Sequence, residues 1–416
     1  MPIIVCSAAG SPNCSSAPGP ELIDVRAVTR WCDAEVDLDD FAGGDGYLFV
    51  RDGVGLAGHG VAIRVEADDA VEFLAAMDCD DHVGVAGSGP VAMGVLPFKP
   101  GASAKLVVPL VTIGRGADGR CWITVIDDAA VPAPAPPPIS SAGEFTVGPG
   151  VGIDTYLVAV TAARDAVRAG QIEKAVIARD VVLTSTEPID VHAVLGRLRI
   201  SFGSSYRYAI DGFIGASPEL LVALDGSTVT SHPLAGTSPR TGDPATDARL
   251  AAELLASRKN QIEHRVVINV VHDTLLPWAS YLDWEPEPSI VAIANVQHLG
   301  TRLEGRLSQP APDVVTLARA LSPTPALGGH PRAEAIALIE RVEGFRRGRY
   351  GGTVGWVDSR GNGTWAVAIR CAEFAPDRRS ARLFAGGGIV ADSDPHHELA
   401  ETQAKFQAML SAIIRP

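Results

Sequence analysis

The run F-I-G-A-S-P-E-L-L-V-A-L, Phe213 to Leu224, is aliphatic except for one glutamate. It reads as a β-strand with a turn signal just before it. Alternation along a strand puts Glu219 on the same face as Leu221 and Ala223. A carboxylate there either points to water from an edge strand or is held in a site. Position alone favours the exposed reading, because Asp and Glu are rarely buried without a partner. The rest of the chain has to decide.

Working outward, residues 21 to 128 read as short strands and turns: G-Y-L-F-V-R-D, G-H-G-V-A-I-R-V, A-K-L-V-V-P-L-V and R-C-W-I-T-V-I-D, with a short helix at Asp69 to Met77. Residues 1 to 20 carry little pattern and are expected to form a disordered tail. Ala130 to Gly143 is Pro-rich and reads as an extended, solvated connection. After it come a helix at Asp154 to Ala169, a strand from Lys174 to Leu183 and the strand carrying Glu219. One long helix is expected from about Asp247 to Leu276, and shorter ones at Asp313 to Leu321 and Arg332 to Val342. A hairpin set follows: T-V-G-W-V-D, T-W-A-V-A-I-R-C-A-E and A-R-L-F-A-G. A helix from about Pro395 to Ile414 closes the chain. Strands and helices without strict βαβ alternation indicate an α+β fold with large, mainly antiparallel sheets.

Composition narrows the function. The chain has 416 residues, 46% hydrophobic and 20% charged, enough core material for a large globular fold. No run of about 18 apolar residues suggests a membrane span. The N-terminus lacks the basic region and apolar core of a signal peptide, which points to the cytoplasm. The six cysteines are scattered, with no C-x-x-C pair. A net charge of −14 argues against a nucleic-acid partner. An anionic small substrate would need a local positive site, with or without a metal.

Several residues fit such a site. Glu263 shares a helical face with Val266, Val267 and Val270, so its carboxylate sits on or beside a buried stripe. The plain alternative is an ion pair with Lys259, four residues earlier. On the last helix Asp394 can cap and Pro395 fits the first turn. Glu398, Glu401 and Lys405 then line one face, with Leu399, Phe406, Leu410 and Ile413 on another. A solvated charged face would look the same. Just before it, Gly386, Gly387 and Gly388 end an apolar strand and can form a nest of backbone N–H groups for an anion. Arg370 lies inside the apolar W-A-V-A-I-R-C-A and needs an anionic partner. The pair His396-His397 lacks a spaced third ligand and is a weak metal signal. The G-x-G-x-G at Gly148 to Gly152 lacks a strand-then-helix context and is set aside.

Taken together, K-A-V-I-A-R (from Lys174), G-A-S-P-E-L-L (from Gly215), P-L-A-G-T (from Pro233), R-K-N-Q-I-E-H (from Arg258), V-Q-H-L (from Val296), S-P-T-P-A-L-G-G (from Ser322), R-Y-G-G-T-V-G-W (from Arg349), A-I-R-C-A (from Ala368), F-A-G-G-G-I-V (from Phe384) and E-L-A-E-T-Q-A-K (from Glu398) resemble the chorismate-utilising enzymes. The likeness covers about residues 150 to 416, in order. G-V-L-P-F-K-P at Gly94 to Pro100 resembles a stretch that precedes the family's catalytic half.

The resemblance implies a single large α/β domain over residues 21 to 416, two packed sheets with helices outside, and residues 130 to 143 as a loop within it. S-P-E-L-L and P-T-P-A-L-G-G resemble the branch that isomerises chorismate to isochorismate, whose product feeds siderophore or menaquinone synthesis. The resemblance implies Mg²⁺ held by Glu263, Glu398 and Glu401, and Lys174 as the base that activates water. Glu219 would be the acid that protonates the departing C4 hydroxyl. Arg370, Lys405, Tyr350 and Gly386 to Gly388 would hold substrate, with Gly236, Thr237, His298 and Ala326 completing its site. These acid and base roles require burial to lower the Lys174 pKa and raise that of Glu219. A monomer is expected. The rival readings are a salicylate synthase, which carries isochorismate on to salicylate and pyruvate, and a non-catalytic chorismate-binding protein.

Overall fold

A computed structural model describes residues 25–32, 36–138, 143–293 and 296–415. The expected tail at residues 1–20 lies outside them. Among the described residues the strands form a thirteen-stranded sheet, a nine-stranded sheet and a small three-stranded one. The two large sheets are almost wholly antiparallel; the exception is Arg26–Cys32 beside Asp78–Asp81. They face each other across a layer rich in aromatics, including Phe49, Trp122, Tyr208, Phe213, Trp356 and Phe384. Helices Val191–Phe202 and Pro395–Ile414 cover the outer face of the larger sheet. Helices Arg258–Leu275 and Val314–Leu321 cover the nine-stranded one. The layered α+β architecture expected from the sequence is therefore present.

The departures from the sequence reading have local causes. The run Phe213 to Leu224 is not one strand. Phe213–Ser217 belongs to the large sheet and Leu220–Asp225 to the nine-stranded one, and the chain crosses between them at Pro218 and Glu219. Proline has no N–H to give a ladder, so it suits the point where the chain leaves a sheet. The run T-W-A-V-A-I-R-C-A-E breaks in the same way. Gly363–Val367 lies in the nine-stranded sheet and Cys371–Phe374 in the large one. The two crossings run side by side. Val367 N–H donates to the Glu219 carbonyl at 3.1 Å, and Ala216 N–H to the Arg370 carbonyl at 3.1 Å. Arg370 takes a left-handed φ of 52° at its crossing, a conformation that non-glycine residues adopt at a cost. A-K-L-V-V-P-L-V also splits, into Lys105–Val108 and Val111–Arg115, with Pro109 between.

The long helix is two helices, Pro244–Ala256 and Arg258–Leu275. Ser257 separates them: its extended backbone ends the first, and its hydroxyl accepts from Asn260 N–H to cap the second. The last helix starts as its sequence foretells, with Asp394 accepting from His397 N–H and Pro395 in the first turn. The described part of the Pro-rich segment, 130 to 138 and 143, has no helix or strand.

Candidate functional site

A cavity of about 360 Å³ opens beside the two crossings. It is lined by Lys174, Glu219, Gly236, Thr237, Glu263, His298, Ala326, Tyr350, Arg370, Gly386, Gly388, Glu398, Glu401 and Lys405. Every residue that the resemblance places in the site is there except Gly387, which lies directly behind the wall. A Cβ on Gly387 would sit 2.7 Å from Oε2 of Glu398, so its lack of a side chain makes room for that carboxylate.

Each side chain is delivered by a specific local structure. Lys174 is the first residue of strand Lys174–Ser185, which pairs along its length with Ser380–Ile389. Gly388 faces it, and a Cβ there would lie 2.6 Å from Lys174 Cε. The three glycines thus act through the space they leave. The expected nest of N–H groups does not form, because Gly386 to Gly388 continue the extended strand as register partners of Ala178, Ile177 and Val176. Gly386 turns its carbonyl outward to Lys405 Nζ, 2.8 Å away. Thr237 and His298 are cross-strand neighbours in the small sheet.

Burial and charge set the protonation pattern. Glu219 is 3% exposed. The exposed reading of this carboxylate fails because the chain dives between sheets at that point. Its hydrogen bond from Leu234 N–H is long, 3.5 Å. Burial pushes its pKa up to about 8, against weaker opposing pulls from that N–H and from Lys174. The carboxyl is therefore mostly protonated near neutral pH. Lys174 is ion-paired with Glu263. Glu263 does not pair with Lys259, which lines the cavity mouth with Asn260 and His397. Sequence spacing could not separate these partners, because Lys174 is 89 residues away from Glu263.

On the last helix, Glu398 is buried, and burial raises its pKa, as does the neighbouring Glu401. Burial would raise Glu401 too. The field and hydrogen bond of Lys405, 2.5 Å away, outweigh that and hold it below the usual range. The charged face is thus a wall of the site and not a solvated surface. Arg370 points its guanidinium into the cavity with no hydrogen-bonding partner among the described residues. His298 is pushed down to about 3, by burial first and then by the fields of Arg370 and Lys405, so its ring is neutral. Its Nδ1 lies 3.1 Å from the Gly236 carbonyl and 3.0 Å from Thr237 Oγ1. A carbonyl only accepts, so Nδ1 carries the proton and Nε2 is left as an acceptor.

The cavity is thus a cationic corner of Arg370 and Lys405, a carboxylate cluster of Glu263, Glu398 and Glu401, and a protonated carboxyl at Glu219 near Lys174. Among the described residues no three His, Cys, Asp or Glu side chains stand close enough to hold a metal ion by themselves. The donor set still suits Mg²⁺, which takes one or two carboxylates and fills its remaining positions with water or substrate oxygens.

Comparison with known proteins agrees with this chemistry. A family model described as "Chorismate binding enzyme" matches residues 136–414. A Mycobacterium tuberculosis protein named MenF is 40% identical over 341 residues, 79% of this chain and 87% of its own. Escherichia coli isochorismate synthase EntC is 34% identical over 337 residues, 77% of this chain and 81% of its own. The fold is that of the menaquinone-specific isochorismate synthase MenF from Escherichia coli. The TM-score is 0.78 at 23% identity, over 93% of this chain and 94% of that one.

Proposed function

This chain belongs to the chorismate-binding enzyme family, and on that footing we propose that it is an isochorismate synthase, an isomerase that interconverts chorismate and isochorismate. The observation that carries the proposal is that a lysine and a protonated carboxyl, Lys174 and Glu219, line one cavity in which the Arg370 guanidinium has no ion-pair partner among the described residues. Chorismate is a dianion and supplies two carboxylates.

In the forward direction Lys174 accepts a proton from water as the water oxygen bonds to C2. The ring double bond shifts, the C4–oxygen bond breaks, and Glu219 gives its proton to the departing hydroxyl. One water enters and one leaves, so the sum is an isomerisation. Glu219 begins in the form an acid needs. Lys174 is ion-paired with Glu263, so its role as the base belongs to the state in which Glu263 is engaged elsewhere. Arg370 and Lys405 hold the enolpyruvyl carboxylate, with Tyr350 and Gly386 shaping its pocket. Thr237 fixes His298 beside the ring.

We assign Mg²⁺ to Glu263 and Glu401, with Glu398 close or acting through water; bound there, it would neutralise and orient the ring carboxylate. Glu263→Gln is expected to lose both activity and the response to added Mg²⁺. An unchanged magnesium titration would remove Glu263 from the metal set. Arg370→Ala removes a charge-assisted contact and is expected to raise the chorismate KM by about 10- to 100-fold. An unchanged KM would mean that another group holds that carboxylate.

Reading residues 21 to 416 as one chorismate-binding domain is part of the same proposal, supported by the two points where the chain crosses from one large sheet to the other. So are a cytoplasmic location and a monomeric state, since one chain supplies every side chain the mechanism uses; light scattering tests the latter. NMR of the products from purified protein, chorismate and Mg²⁺ tests the reaction. Isochorismate in equilibrium with chorismate, without pyruvate, is expected. Stoichiometric pyruvate with salicylate would make the protein a lyase.

A further inference from the structure

The mechanism leaves a buried charged pair beside the cavity without a task. Glu343 and Arg347 follow helix Arg332–Val342, and their side chains are 1% and 2% exposed. They form a two-point ion pair. Arg347 Nε donates to Glu343 Oε2 at 2.8 Å and Nη2 to Oε1. The remaining bonds leave the pair for backbone. Nη1 donates to the Leu327 carbonyl at 2.8 Å and Nη2 to the Val176 carbonyl at 2.6 Å. Glu343 Oε1 also accepts from Ala178 N–H at 2.7 Å. The Arg347 guanidinium lies 4.2 Å from the ring centre of Phe98 and 5.8 Å from that of Tyr350.

These contacts fall at a gap in the sheet. One edge of strand Lys174–Ser185 pairs with Ser380–Ile389 throughout. Its other edge pairs with Gly329–His330 at residues 174 and 175, and with Phe145–Pro149 at residues 181 to 185. Between them no strand is present among the described residues, and a buried strand edge cannot leave its N–H and C=O groups unsatisfied. The ion pair fills part of that gap. It ties the strand two and four residues beyond Lys174 to the 322–328 segment that supplies Ala326 and Leu327 to the cavity. It also reaches Tyr350, on a third wall.

We propose that Glu343 and Arg347 are positioning residues: their ion pair stands in for a missing strand and sets the Lys174 wall of the cavity against the Ala326–Leu327 wall. A buried ion pair is a poor source of net stability, because desolvation offsets its attraction. Its value lies in direction. Arginine presents a planar fork that serves Glu343, Leu327 and Val176 at once, whereas lysine offers a point charge. The proposal deepens the reading of Lys174 as the base and rests on it.

The test compares Arg347→Lys with wild type in the full chain. Lysine keeps a charge opposite Glu343 but cannot reproduce the fork. With folding verified by circular dichroism, kcat is expected to fall about tenfold or more and KM to stay within about threefold, as for a misplaced catalytic group. Hydrogen exchange is expected to quicken in peptides covering 174–180 and 322–329, and to stay unchanged across 353–367. Glu343→Gln, which keeps the acceptor for Ala178 N–H, is expected to fall between the two. A kcat within twofold of wild type would overturn the proposal. So would exchange that quickens equally across 353–367, or two variants that both fail to fold, since either marks general stability. The wild-type product assay decides the reaction separately, and the exchange readout needs no turnover.

Discussion

Replacing Lys174 with alanine is expected to lower kcat by about 10²- to 10⁴-fold, the usual contribution of a positioned proton-transfer group. That range is about 3 to 5 kcal/mol of transition-state stabilisation. Chorismate is expected to remain bound, because Arg370 and Lys405 lie on other elements and are untouched. The substitution also strips Glu263 of its partner. Glu263 is about a quarter exposed, so water can take over part of that role and the fold should survive. Lys174→Arg separates the two functions of the side chain. It keeps a cation opposite Glu263 but cannot be deprotonated in a protein. If charge alone mattered, the arginine variant would turn over normally. If a base is needed, it will be as slow as the alanine variant. Turnover near the native rate in Lys174→Ala, followed by NMR or by coupled assay, would sink the base assignment.

The sequence showed which residues meet more clearly than how they meet. Periodicity located the last helix and its cap, because Asp394-Pro395 is a strong local start and the spacing of Glu398, Glu401 and Lys405 is itself helical geometry. The sheets were legible as strands but not as two layers. Phe213 to Leu224 and Thr364 to Glu373 look continuous, because both crossings are buried and carry the same apolar residues as the strands they join. Pro218 was the one local sign that the first run had to leave its sheet. For the second, the positive φ at Arg370 has no signature in an arginine. Lys259 was the alternative partner the sequence offered Glu263 because i,i+4 neighbours are visible in a sequence, whereas Lys174 reaches it only through the fold. For the same reason the clamp of Glu343 and Arg347 on Val176, Ala178 and Leu327 left no trace in the spacing of those residues.

Glu219→Gln should be as damaging to turnover as loss of Lys174, about 10²- to 10⁴-fold, and its effect on stability should run the other way. The amide keeps the size of the carboxylic acid but has no acidic proton to give. The stability effect follows from linkage. Glu219 has a pKa of about 8 in the fold against an ordinary 4.5, so the native state keeps a proton that the unfolded chain releases between those values. Stability is then greatest below the unfolded pKa and declines as pH rises toward 8, by at most about 1.4 kcal/mol per unit from this one group. Glutamine does not titrate and is free of that decline. The variant's melting temperature should therefore exceed that of wild type at pH 8 and approach it near pH 5. In the wild type, kcat/KM should fall above about pH 8 as the acid loses its proton. The two readouts separate two ways of being wrong. A melting difference that does not change with pH would mean Glu219 is ionised in the fold, where it could not act as the acid. A melting difference that changes as expected, joined to near-native turnover, would leave the buried proton in place and require another donor for the C4 oxygen. The burial of Glu219 at the crossing makes the first outcome hard to reach: an ionised carboxylate there would have one long hydrogen bond and no ion-pair partner among the described residues.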